Sequence, residues 1–173
     1  MESSSSDRSQ LLIDALRPED WEQVRSIYLE GIATGHATFE TAAPEWEQWD
    51  AAHLRFARLV AKTGGSVAGW AALSPVSSRW VYGGVAEVSV YVANSDRGKG
   101  VGKLLLRGLI EQAERNNIWT LQAGIFPENI ASVELHRSCG FREVGRRERL
   151  AKLNGTWRDV LLFERRSKVV GAG

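Results

Sequence analysis

Val85-Ala86-Glu87-Val88-Ser89-Val90-Tyr91-Val92-Ala93-Asn94-Ser95-Asp96-Arg97-Gly98-Lys99-Gly100-Val101-Gly102-Lys103 decides how this chain folds. Its first eight residues are rich in valine and predict a strand. Alternation places Glu87, Ser89 and Tyr91 on one face and Val88, Val90 and Val92 on the other, unless a bulge intervenes. Gly98, Gly100 and Gly102 follow, three glycines in five positions, so the main chain is free to turn tightly and come close to a ligand. Leu104, Leu105, Leu109, Ile110 and Ala113 then mark a helix ending near Asn116-Asn117. Such a strand, loop and helix aim successive N–H groups and the positive helix end into one concavity. That nest suits a pyrophosphate, and Arg97, Lys99 and Lys103 bring positive charge beside it.

Two familiar glycine loops fail the test. A Walker A loop requires Gly-Lys-Ser/Thr after a four-residue gap, and no such triplet occurs here. The dinucleotide fingerprint requires Gly-x-Gly-x-x-Gly after an early strand, but position 103 is Lys and this loop follows the fourth strand.

Outward from this unit the chain alternates readily recognised elements. Leu11 to Leu16 reads as a first strand, and Arg17-Pro18-Glu19-Asp20 opens a helix carrying Trp21, Val24, Ile27, Tyr28 and Ile32. Gly35 to Thr41 breaks the helical period and reads as an ordered loop. Pro44 opens a second helix with Trp46, Trp49, His53 and Phe56 near one face. Leu59 to Ala61 and Val67 to Leu73 are two strands around a Thr63-Gly64-Gly65 turn. Downstream come a strand at Trp119 to Phe126 and a short helix stopped by Gly140. The last two strands, Phe141 to Leu150 and Trp157 to Glu164, are joined at Asn154-Gly155. The order β-α-α-β-β-β-α-β-α-β-β predicts one α/β (α+β) domain over residues 11–166. Residues 1–10, rich in serine, read as a disordered lead-in, and 167–173 as a flexible tail.

The 173-residue length fits one domain with a sizeable core. With 22 Lys+Arg against 21 Asp+Glu, the basic excess of a nucleic-acid binder is missing. No run of about 18 apolar residues predicts a membrane span. A lone Cys139 rules out an internal disulfide and fits a reducing, cytoplasmic setting, where it reads as a small core residue. The three histidines are far apart in sequence, and no metal site is expected.

Asn129, Ser132 and His136 follow at i, i+3 and i+7, so they share one face of the short helix. Asn129 is equally well placed to cap that helix, and His136 to be a satisfied structural histidine. Glu87 stands in an apolar strand, where a carboxylate is expensive unless paired or functional. Burial would move its pKa from about 4.3 toward neutrality, the range of a general base. The competing reading is a salt bridge at a sheet edge.

Arg97, Gly100 and Gly102 spell Arg-x-x-Gly-x-Gly, which resembles the acetyl-CoA signature of the GNAT superfamily. The resemblance runs from about Leu11 to Glu164. It implies a central, mixed but mostly antiparallel twisted sheet of about seven strands flanked by about four helices, with acetyl-CoA as co-substrate. By it, Val90, Tyr91 and Val92, the loop residues Arg97, Gly98, Lys99, Gly100, Val101, Gly102 and Lys103, and Asn129 and Ser132 hold the donor. Glu87 takes a proton from the incoming amine, directly or through a water, and His136, where many members carry Tyr, protonates the departing thiolate. Ala37 to Thr41, Leu73 to Arg79, Glu87-Val88-Ser89 and Trp157 to Val160 are similar to the phosphinothricin and methionine sulfoximine branch. That branch implies an amino-acid acceptor contacted by Ser77, Ser78, Arg79, Glu87, Val88, Ser89 and Phe39, and a homodimer. Trp80-Val81-Tyr82 departs from it and leaves the acceptor open. Peptide or protein N-terminal acetylation and a non-catalytic acyl-CoA sensor are the alternative readings.

Overall fold

The computed structural model describes residues 10–173, so the expected lead-in at 1–10 lies, apart from Gln10, outside the described residues. Seven strands form one sheet: β1 (Leu12–Ala15), β2 (Leu59–Thr63), β3 (Ser66–Pro75), β4 (Val85–Val92), β5 (Thr120–Ile125), β6 (Arg142–Leu153) and β7 (Thr156–Arg166). Their spatial order is β1-β2-β3-β4-β5-β7-β6. Every neighbouring pair is antiparallel except β4 and β5. Four helices complete the domain: α1 (Trp21–Ala33), α2 (Trp46–Ala52), α3 (Val101–Arg115) and α4 (Ile130–Ser138). This is the expected α/β domain, a mixed sheet with four flanking helices.

The alternation along β4 sorts the two faces as expected. Ala86, Val88, Val90 and Val92 join an aliphatic core with Val101, Leu105 and Leu109 of α3 and Val133 of α4. Tyr91 turns to the other face, against Trp21, Val24 and Ile27 of α1, Trp49 of α2 and Trp70 of β3. Four of the seven tryptophans, Trp21, Trp46, Trp49 and Trp70, thus belong to a packed aromatic layer. Gly69 of β3 is needed where α3 crosses the sheet, because a Cβ there would meet the Tyr91 carbonyl oxygen at 2.8 Å and Leu105 at 2.9 Å.

Two expectations change. The C-terminal segment from Ser167 is tied down rather than loose at its start. Ser167 is buried, its N–H donates to the Trp119 carbonyl at 2.7 Å, and its hydroxyl donates to Glu114 at 2.8 Å. Glu87 is not at a sheet edge, since β4 lies between β3 and β5. It makes no ion pair among the described residues.

Candidate active site

The site begins as a failure of strand pairing. β4 and β5 pair at Val85↔Thr120, Ala86↔Leu121 and Glu87↔Gln122, and then part. β4 stays paired with β3 as far as Val92↔Gly69. At the end of that ladder the Ala93 N–H donates to the Ala68 carbonyl at 2.8 Å. Alternate residues of an antiparallel strand turn their amides the opposite way, so the N–H groups of Val90 and Val92 face the gap left by β5. The result is a wedge with main-chain donors on one wall and no strand to use them.

Two cavities meet in this wedge and share Ala37, Val90, Tyr91, Asn129 and Ser132. One, of about 580 Å³, runs over the glycine loop, bounded by Val90 to Val92, Arg97, Gly98, Gly100 to Lys103, and Asn129 to Ser132. The other, of about 390 Å³, lies between Glu87 to Tyr91, the loop Ala37 to Glu40, Gln122 to Phe126, His136, and the β6–β7 side.

The glycine loop is open where an anion would need it. Gly98 and Gly100 have φ of +74° and +82°, a region costly for any residue with a side chain. A Cβ on either would project into empty space. Gly100 is the N-cap of α3, and no side chain of the described residues caps that helix, so its first N–H groups are left for a ligand. Glu30 of α1 steadies the loop by accepting the Asn94 N–H at 2.7 Å. Gly102 serves a different need: it lies within α3, and a Cβ there would come 3.1 Å from Leu135 of α4.

The sequence profile described as the acetyltransferase (GNAT) family matches residues 18–141. The chain belongs to the GNAT acetyltransferase family. It is 31% identical over 159 residues to a phosphinothricin N-acetyltransferase of Alcaligenes faecalis, which covers 88% of this chain and 81% of that protein. A crystal structure of ribosomal-protein-alanine N-acetyltransferase from Brucella melitensis matches with a TM-score of 0.82 at 33% identity, over 90% of this chain and 99% of that one. A phosphinothricin acetyltransferase from Sinorhizobium meliloti, in complex with AcCoA, matches with a TM-score of 0.85 at 26% identity, over 94% and 91% of the two chains.

In this GNAT chain the residues on the glycine side fit acetyl-CoA. The uncapped start of α3 and the empty cradle over Gly98 and Gly100 suit the pyrophosphate, with Arg97 and Lys103 beside them. The wedge suits an extended pantetheine arm. Lys99 is the expected donor residue that does not border the cavity; its ammonium lies 3.4 Å from Asp96.

Asn129 is the cap of α4 and stands where a bound ligand would pass. Its side chain accepts the Ser132 N–H at 3.2 Å as the cap of α4, and it borders both cavities. His136 is buried, edge-on to Phe141, with Nδ1 2.7 Å from the Ser132 carbonyl. A carbonyl only accepts, so Nδ1 carries the hydrogen and Nε2 is the acceptor nitrogen. Burial lowers the His136 pKa, against the opposing effect of that hydrogen bond, and favours the neutral ring.

Glu87 borders the smaller cavity, half-buried, and its carboxylate has no hydrogen-bond or ion-pair partner among the described residues. Val88, Ser89 and Phe39 also border it. Ser77, Ser78 and Arg79 do not: they stand past the end of β3, where the Arg79 guanidinium rests on Tyr82 at 5.6 Å. Tyr91 forms the shared wall, stacked on Trp70 at 4.9 Å, and burial first, then neighbouring Tyr28, pushes its pKa far above the usual phenol range. It therefore stays a neutral hydroxyl.

Arg158 and Arg147 were not singled out from the sequence. Arg158 of β7 stacks over Phe126 at 4.2 Å and donates to the Gly35 carbonyl at 2.8 Å, His36 Nδ1 at 3.0 Å and Glu128 at 3.2 Å. It thereby ties the loop after α1 to the loop before α4, across both cavity mouths. Phe39, edge-to-face with Phe126 at 4.8 Å, completes this closure. Arg147 of β6 borders the smaller cavity. Trp157-Arg158 carried a signal through the branch resemblance, whereas nothing in the sequence distinguished Arg147 from the arginines around it.

Proposed function

We propose that this GNAT enzyme acetylates the amino group of a small amino acid or amino-acid analogue, of the phosphinothricin or methionine sulfoximine kind, by direct attack on the acetyl-CoA thioester. One observation carries the reading: Glu87, a carboxylate with no partner among the described residues, borders a cavity of about 390 Å³ that meets the donor cavity at the wedge. A cavity of that size, roofed by Phe39 and the Arg158 tie, favours a small acceptor over a polypeptide.

Glu87 accepts one proton of the acceptor's ammonium, directly or through a water, and the free amine attacks the thioester carbonyl. Main-chain N–H groups of Val90 and Val92 donate to the carbonyl oxygen as it gains charge. The carbon–sulfur bond then breaks, and the second ammonium proton passes from the adduct nitrogen to the thiolate. His136 is assigned a positioning role here. Its one N–H is committed to Ser132, so donating a proton from Nε2 would first require charging a buried ring.

The proposal includes a homodimer in a reducing, cytoplasmic setting. Exposed Trp80, Val81 and Tyr82 support an interface beside Ser77, Ser78 and Arg79, across which those three residues would reach the partner's acceptor. The Brucella structure favours a second reading, acetylation of a protein N-terminus.

The deciding experiment mixes the protein with acetyl-CoA and single acceptors: methionine sulfone, methionine sulfoximine, phosphinothricin, the common amino acids, and an alanine-first peptide. Free thiol release and mass spectrometry of the product are followed. Acetylated amino acids are expected. Turnover of the peptide with silence on every amino acid would overturn the proposal in favour of the second reading.

A further inference from the structure

Resting on that reading, we infer that Arg147 selects acceptors with an acidic group at the far end of the side chain, a carboxylate or a phosphinate.

Two carboxylates, Glu40 and Glu87, border the acceptor cavity, and the basic groups around it fall into two classes. Arg146 is engaged with Asp159 at 2.6 Å and 2.8 Å, and Arg158 holds Gly35 and Glu128. Arg149 lies over Trp157 at 5.4 Å, as Lys152 does at 5.0 Å. Arg147 alone of this group borders the cavity and makes no hydrogen bond or ion pair among the described residues. A guanidinium left free on a cavity wall is available for a bidentate bond to an anionic ligand.

Its place in the sheet says which part of the ligand it reaches. Arg147 pairs with Val160, and directly opposed residues point to the same face. Val160 borders the same cavity and is buried with Phe126 and Leu153, against Phe39. Glu87 sits on β4, three strands away through β5 and β7. At about 4.8 Å per strand that is roughly 14 Å sideways, and the register, Glu87↔Gln122↔Glu164 against Arg147↔Val160, adds four residues along the strands, so the backbones lie roughly 19 Å apart. The reacting amine is at Glu87, and an α-carboxylate is held within about two bonds of it. Arg147 is too far for that group and is placed for the opposite end of the acceptor. Arg79, the anchor expected from the sequence, borders neither cavity of this chain.

The test compares acceptors of matched length with and without a distal acid: glutamate against glutamine, and phosphinothricin against methionine sulfone. Steady-state KM and kcat are measured for the parent, Arg147→Met and Arg147→Lys, with thermal unfolding of each as the check on folding. In Arg147→Met, KM for glutamate and phosphinothricin is expected to rise about 10- to 100-fold. KM for glutamine, methionine sulfone and acetyl-CoA stays put, and Arg147→Lys keeps part of the preference. The ratio of phosphinothricin to glutamate tells which acid is bound better, and loss of either preference supports the inference. Equal rises for acidic and neutral acceptors would assign Arg147 to the α-carboxylate and overturn it, as would no change in any KM. If the parent acetylates no amino acid at all, the proposed function itself fails; if it does and Arg147→Met behaves like it, this inference alone fails.

Discussion

The two cavities that meet at the wedge are built from different materials. The donor side is made of main chain: parted strands, the positive-φ glycines Gly98 and Gly100, and an uncapped helix start. The acceptor side is made of side chains delivered by β4, β5, β6, β7, α4 and a loop. Main chain suits a feature that every acetyl-CoA has, whereas side chains are exchangeable without disturbing the sheet. The comparison teaches that one half of this site is committed by the fold and the other is free to specialise.

The largest test of that division is Glu87→Gln. Loss of the base is expected to lower kcat/KM for the best amino acid by about 100- to 1000-fold at neutral pH. Because the Glu87 carboxylate has no partner among the described residues, the melting temperature should not move. The deficit should shrink at high pH, where the acceptor arrives already deprotonated. A parental rate at neutral pH would remove the base from the mechanism and leave the acceptor side without its chemistry.

Gly100→Val attacks the other side. A branched side chain at φ +82° strains the turn and fills the open cradle at the start of α3. KM for acetyl-CoA is expected to rise about 100-fold, from about 3 kcal/mol of lost binding, with KM for the amino acid unchanged at saturating donor. An unchanged acetyl-CoA KM would mean that the phosphates bind elsewhere.

Arg158→Met should blur the distinction, since the tie it makes spans both mouths. The Glu128 carboxylate, held low first by its own backbone N–H and then by Arg158, loses its ion-pair partner. KM for donor and acceptor should both rise, by about tenfold, as the loop after α1 loosens. A change confined to one substrate would show that the loop belongs to one cavity.

These differences in material also explain what could be read from the residues in order. The donor side is local: β4, the glycine loop and α3 are consecutive, and Val85–Val92 and the helix after it follow from periodicity and glycine alone. Arg147 was illegible because it lies among Arg142, Arg146 and Arg149 on a strand whose register slips between Arg147 and Ala151. Arg149 has φ +48° within that slip, so period-two counting fails there. Arg158 meets Gly35 only through tertiary structure, 123 positions away. The Ser167 anchor was hidden for the same reason, since its partners, Glu114 and Trp119, come from the end of α3 and the residue before β5.

The smallest effect separates the sides by pH. His136 on the acceptor wall and His53, stacked on Trp49 at 4.1 Å, both have pKa values lowered by burial. The unfolded chain therefore binds protons at these sites before the folded one does. Stability must rise with pH across that window and fall as pH drops through the ordinary histidine range of about 6.5. Asp50, Asp159 and Glu128 have lowered values too, and their contribution is lost only at more acid pH, below about 4. Urea midpoints measured from pH 7.5 to 5 should decline in the parent and decline less steeply in His136→Gln. Saturating acetyl-CoA should raise the midpoint by a similar amount throughout, because its cradle at Gly98 and Gly100 is main chain and does not titrate. A donor effect that vanished in parallel with the histidine slope would mean that protonating the acceptor wall also opens the wedge, and that the two sides move as one.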